Sequence, residues 1–158
     1  MRLAIIVLED EAEVRAALGR DLAEVARVAR LEFAEDVPDA RAVIGEIDDD
    51  GDALALILAD HRLPGETGVD FLVSIQNDPR AVRARTVLVT GQADQEDTIR
   101  AVNEAGLDHY IAKPWTAERL QAVVRDQLTD YVLAEGLDPL PHLRIIDGVR
   151  AMEAIRGR

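Results

Sequence analysis

Apolar and polar positions alternate along this chain in two rhythms that take turns. Continuous apolar runs bounded by acids or turn residues occur at 3–8 (LAIIVL), 53–59 (ALALILA) and 85–90 (RTVLVT), with weaker runs at 28–34 and 108–112. Runs of this length, rich in branched residues, predict strands buried on both faces. Between them, apolar residues recur at helical spacing. Val14, Leu18, Leu22 and Val25 predict a helix over 11–27. Helices are likewise expected over 37–47, with Pro38 near the first turn, and over 67–77. Another is expected over 95–105, with Gly106 as its stop, and a long last one over 116–136. Five strands, each followed by a helix, predict an α/β fold with a parallel sheet and helices on both faces.

Beyond the alternation, residues 137–158 contain Pro139 and Pro141, which break the long helix. Leu143, Ile146, Val149, Met152 and Ile155 are expected to form one apolar stripe on a short final helix. That stripe must pack on the domain, on a second copy or on another partner. The division expected is a domain over 1–135 and a helical extension over 136–158 serving dimerisation, docking or linkage.

Composition narrows the function. Of 158 residues, 48% are hydrophobic, enough for a core, and there is no cysteine, which excludes disulfides, thiolate metal sites and cysteine nucleophiles. The formal net charge of −13 argues against nucleic acid as a partner, because that binding rests on cations. No segment suits a signal peptide or membrane span, so a cytoplasmic protein is expected. Of the 18 basic residues, Lys113 is the one lysine and the other 17 are arginine. A chain that uses arginine everywhere else points to a need for a compact ammonium at that position.

Ligands of such sheets bind beyond the carboxyl ends of the strands. At those ends stand Glu9 and Asp10, Asp60, Thr90, and Lys113 followed by Pro114. Each has an ordinary alternative. Asp60 could cap a turn, the acids at 9–11 could cap the first helix, with Glu11 expected to do so, and Thr90 could bond backbone. Together, however, three carboxylates, a hydroxyl and an ammonium converge on one rim. Clustered carboxylates call for a cation, and hard oxygen ligands suit Mg2+. A carboxylate beside Mg2+ can attack a phosphoryl group, whose oxygens then need a hydroxyl and a cation.

The set Glu9-Asp10, Asp60 in LADHRLPGETG, Thr90 in VLVTG and Lys113 in YIAKP resembles the receiver domain of two-component response regulators over roughly residues 1–130. The resemblance implies a doubly wound, flavodoxin-like sheet of order 2-1-3-4-5 and a signalling switch rather than an enzyme. Asp60 would be the phosphoacceptor, served by a histidine kinase or phosphotransfer protein. Asp10, Asp60 and the backbone carbonyl of Arg62 would bind Mg2+, and Glu9, where such families often carry Asp, would reach it through water. Thr90 and Lys113 would hold the phosphoryl group, and Tyr110 stands at the place of the aromatic switch residue. Arg62 and Gln92 occupy places that tune water access, and Gly91 replaces a commoner alanine. A narrower resemblance, NxxGLDHYxxKPW, is similar to receivers joined to flavin-dependent, thioredoxin-reductase-like modules, although the chain has neither a GxGxxG fingerprint nor a CxxC pair.

Two other function classes fit the residues. One is a phosphate-independent adaptor acting through the extension. The other is an aspartyl-phosphate phosphohydrolase, for which Arg62 stands where a second acid is usual. His61 and His109 are expected to be half-exposed polar residues, His142 carries no signal, and Trp115 is expected to be a packing residue. The acidic stretch 48–52 is expected to be a solvated loop. It is not a calcium loop, because the position needing a terminal Glu is Ile57, inside a strand.

Overall fold

The structure, a computed structural model, describes residues 1–91 and 95–157. Five strands, β1 (Leu3–Leu8), β2 (Arg30–Ala34), β3 (Ala53–Ala59), β4 (Arg85–Thr90) and β5 (His109–Ala112), form one sheet of order β2-β1-β3-β4-β5. Every neighbouring pair is parallel. Among the described residues six α-helices accompany it: α1 (Ala12–Asp21), α2 (Val37–Asp49), α3 (Gly68–Ser74), α4 (Gln95–Ala105), α5 (Ala117–Ala134) and α6 (Gly148–Arg156). The fold is the doubly wound, flavodoxin-like one expected, with helices at its C-terminal end.

Successive strand residues serve opposite faces, which is why the central runs are apolar throughout. Leu3, Ile5 and Val7 pack with Leu18 and Leu22 and with the inward face of α5. Ala4, Ile6 and Leu8 pack with residues of α2, α3 and α4, among them Ile44, Phe71 and Ala101. Short polar side chains set several helix starts. Asp36 accepts from the Asp39 amide, Thr67 from Asp70, Thr116 from Arg119, and Asp147 from Val149 and Arg150. Glu11 holds the N-cap position of α1, but contrary to expectation its side chain makes no capping bond.

Several elements are shorter than the periodicity implies. α1 ends at Asp21, and the chain tightens into a 3-10 turn over Val25–Arg27 that brings Val25 and Val28 against the core before β2. The helix from 67 resolves into α3 and a 3-10 turn over Ile75–Asn77. Periodicity alone does not separate these tighter turns from α-helix.

The extension departs most from expectation. After α5, Gly136 takes φ 64°, a left-handed conformation that suits glycine and turns the chain out of the helix. A 3-10 turn spans Leu140–His142, and α6 begins only at Gly148. The expected stripe is therefore split between a loop and a helix. Ile145, Ile146 and Ala151 are buried in the core beside α5, whereas Leu143, Val149, Met152 and Ile155 are exposed. Thr129 Oγ1 accepts from the Asp147 amide at 2.8 Å, Arg125 donates to the Ile146 carbonyl at 2.7 Å, and Arg150 pairs with Asp130. His142, without a signal in the sequence, is buried there.

Candidate functional site

The sheet order reverses between β1 and β3, and there the strand ends leave a crevice open to a ligand. Register aligns those ends. Leu8 pairs with Ala34 on one side and Ala59 on the other, and Ala59 pairs with Leu88. The Asp60 amide donates to the Leu8 carbonyl and the Lys113 amide to the Thr90 carbonyl, each at 3.0 Å. Residues 104 positions apart in sequence thus meet on one rim.

Glu9, Asp10 and Asp60 each offer a carboxylate oxygen, and these oxygens lie within 4.8 Å of one another. Glu9 and Asp60 are buried and Asp10 is exposed, so the cluster opens to solvent on one side. Lys113 Nζ lies 3.2 Å from Asp60 Oδ2 and 3.4 Å from Glu9 Oε2. Burial, and then the negative charge of Asp60, raise the Glu9 pKa to about 7 against the opposing pull of Lys113. Burial works against the Lys113 charge, but the Asp60 and Glu9 carboxylates outweigh it and hold its pKa above the ordinary lysine value. The Lys113 ammonium meets two of the three acids, and Glu9 Oε1 is buried with no hydrogen-bond partner among the described residues. A hard cation fits this donor set. It would meet the orphaned oxygen's need and relieve the repulsion that pushes Glu9 toward its neutral form.

Thr90 ends β4 and is buried. Tyr110 is half-buried in β5 and its hydroxyl donates to the Thr90 backbone carbonyl at 3.3 Å, so the aromatic is tied to the threonine strand end. Arg62 is exposed two residues beyond Asp60. Gln92 lies outside the described residues. Trp115 packs against the α1/α5 core as expected, and its Nε1 also donates to Asp21 at 2.8 Å. The Lys113–Pro114 peptide is cis. The acidic stretch 48–52, expected to be a solvated loop, is not one throughout: α2 runs on through Asp49, and Asp50 and Asp52 bind Arg30 at 2.8 and 3.2 Å.

Three contributors escaped the sequence reading. Gly68 opens α3 so close to the strand end that a Cβ there would stand 1.9 Å from the Asp60 carbonyl oxygen. The second glycine of LADHRLPGETG is thus a close-approach residue, a role that leaves no local signature. Arg15 donates to the backbone carbonyls of Glu9 and Asp10 at 2.8 and 2.9 Å and fixes the loop that carries both acids. His61, expected half-exposed, is buried, with its Nε2 3.0 Å from Asp97 Oδ2. Its neighbour in space comes from α4, which the strand's own pattern cannot reveal.

The fold and the rim define a doubly wound α/β domain with an acidic cluster and a lysine at its switch point. Residues 5–125 match the response regulator receiver domain, and the chain belongs to that family. It is 37% identical over 134 residues to the hydrogenase transcriptional regulatory protein HoxA of Cupriavidus necator, a match covering 84% of this chain and 25% of that protein. Similarity to the phosphate regulon transcriptional regulatory protein PhoB of Pseudomonas aeruginosa is 32% over 154 residues, covering 91% of this chain and 64% of the relative. The chain thus spans about a quarter of the first and just under two thirds of the second. The signal receiver domain of an HD domain-containing protein from Pseudomonas fluorescens Pf-5 shares the fold, with a TM-score of 0.75 at 21% identity over 85% of this chain and 93% of that one. Among the described residues no helix is long and apolar enough to cross a membrane.

Proposed function

We propose that this chain is a phosphoacceptor switch of a two-component relay, with Asp60 taking a phosphoryl group from a histidine kinase or phosphotransfer protein. The observation that carries this reading is the Asp60 carboxylate, held between the Glu9–Asp10 pair and the Lys113 ammonium at 3.2 Å. An Asp60 oxygen attacks phosphorus, the bond from phosphorus to the donor atom breaks, and the donor leaves with its electron pair. Mg2+, held by Asp10, Asp60 and the Arg62 carbonyl and reached by Glu9 through water, would supply positive charge to the transferring group. Lys113 and Thr90 receive the phosphoryl oxygens. The displaced Lys113 contact and the Thr90–Tyr110 link are the means by which modification reaches β5 and the surface shared by α4, β5 and α5.

Residues 1–135 act as the receiver and 136–158 as an extension whose exposed Val149, Met152 and Ile155 serve a second copy or an output partner. The output module is either transcriptional, as in the names of the relatives, or the flavin-dependent, thioredoxin-reductase-like kind that the segment around Trp115 resembles. Incubation with labelled acetyl phosphate tests the reading. One acid-stable, base-labile label is expected, dependent on Mg2+ and absent in Asp60→Asn. A label that persists in that variant overturns the assignment.

A further inference from the structure

His61 directly follows Asp60, and its side chain is 7% exposed. Its Nε2 lies 3.0 Å from Oδ2 of Asp97 in the first turn of α4. The contact makes Nε2–H the donor and the carboxylate the acceptor. The other ring nitrogen, Nδ1, is buried without a hydrogen-bond partner among the described residues. Asp97 is therefore the polar attachment that orients the ring.

Among the described residues, α4 packs chiefly against α3 and buries only small side chains. Among its described residues Ala101 and Ala105 are buried, while Ile99 and Val102 are 54% and 53% exposed. Two alanines contribute little apolar burial. Arg100 adds a tie to Asp70 of α3 at 2.8 Å, but both side chains are half-exposed, where such pairs hold weakly. A helix that buries only alanines has less apolar anchorage than the core strands, so a tie at its first turn bears on where it sits.

From this we infer that the His61–Asp97 hydrogen bond is a positioning latch that seats α4 while Asp60 is unmodified, and that its release is coupled to occupation of Asp60. The inference rests on Asp60 being the phosphoacceptor. A group joined to the Asp60 carboxylate must displace the direct 3.2 Å contact with Lys113, and the backbone that adjusts to it carries His61 as its next residue. Through the 3.0 Å bond, that adjustment bears on Asp97 and hence on the first turn of α4. Linkage then fixes the sign: a latch that favours the unmodified state opposes occupation, so removing it must favour occupation.

The test titrates the full chain with beryllofluoride and Mg2+, following the fluorescence of Trp115, the one tryptophan, two residues beyond Lys113. Asp97→Ala is expected to bind beryllofluoride roughly three- to tenfold more tightly than wild type, the range that follows from losing one hydrogen bond to a charged group at a half-exposed site. In the ligand-free chain its α4 amides should exchange several-fold faster. Asp97→Asn keeps an acceptor oxygen and should bring both readouts to within about twofold of wild type. A merely structural Asp97 would give weaker binding in Asp97→Ala, and that result overturns the latch. Equal binding in all three chains overturns the coupling alone. No binding in any of them overturns it together with the phosphoacceptor reading.

Discussion

Lys113 Nζ and Asp60 Oδ2 stand 3.2 Å apart, joining the end of β5 to the end of β3 across the intervening strand β4. The contact places the one lysine of a chain that otherwise uses arginine against the carboxylate at the switch point.

Replacing Lys113 by Arg should therefore not be silent. The same nitrogen bonds Glu9 as well as Asp60, and a planar guanidinium needs more room than an ammonium to reach both. Folding should be intact by far-UV circular dichroism. The spectral response to beryllofluoride should be largely lost, and a response equal to wild type would contradict the expectation.

Gly68→Ala tests the close approach of α3 to the Asp60 carbonyl. With 1.9 Å available to a Cβ, either the helix start or the strand end must shift. Overpacking of this kind costs about 1–3 kcal/mol or more. Urea unfolding should show a lowered midpoint, and acetyl phosphate labelling should fall together with it, because the displaced atom belongs to Asp60. A stable, fully labelled variant would contradict the described geometry.

Cutting the chain after Glu135 removes the buried Ile145, Ile146 and Ala151. Two buried isoleucines contribute roughly 1.5–3 kcal/mol each, offset in part by the cost of ordering the segment. A net loss of about 2–4 kcal/mol is expected with the sheet still folded. Sedimentation of the full and shortened chains then reads the remaining exposed positions. If Val149 and Met152 join two copies, the full chain should show mass-dependent association that the shortened chain lacks.

His142 should make the extension sensitive to acid. Burial, opposed by Asp138 and assisted by the N-terminal amino group, lowers its pKa below the ordinary value of 6.5. A depressed histidine favours the folded state while neutral. Its contribution is present above pH 6.5 and is lost as pH falls through the lower folded value. Urea midpoints at pH 7.5 and 5.5 should fall more for wild type than for His142→Gln. Equal falls would show that the ring titrates in the native state as it does unfolded.

Much of this protein was legible in the linear pattern. The apolar runs at 3–8, 53–59 and 85–90 fit strands covered on both faces, and a parallel sheet with interposed helices follows from chain connectivity. That Glu9, Asp10, Asp60, Thr90 and Lys113 share one rim was legible because each stands at or just beyond a strand end, and parallel strands present those ends on one edge. Contacts between residues remote in sequence were decided only by the tertiary structure. The burial of His61 depends on Asp97 arriving from α4, and the close fit at Gly68 depends on the angle at which α3 leaves Asp60. The split of the extension depends on Thr129 and Arg125 satisfying backbone groups at Asp147 and Ile146, so that Ile145 turns inward and Val149 outward. Periodicity records which residues of an element share a face. It carries no record of which neighbour meets that face, and hydrogen bonds across elements are set by that neighbour.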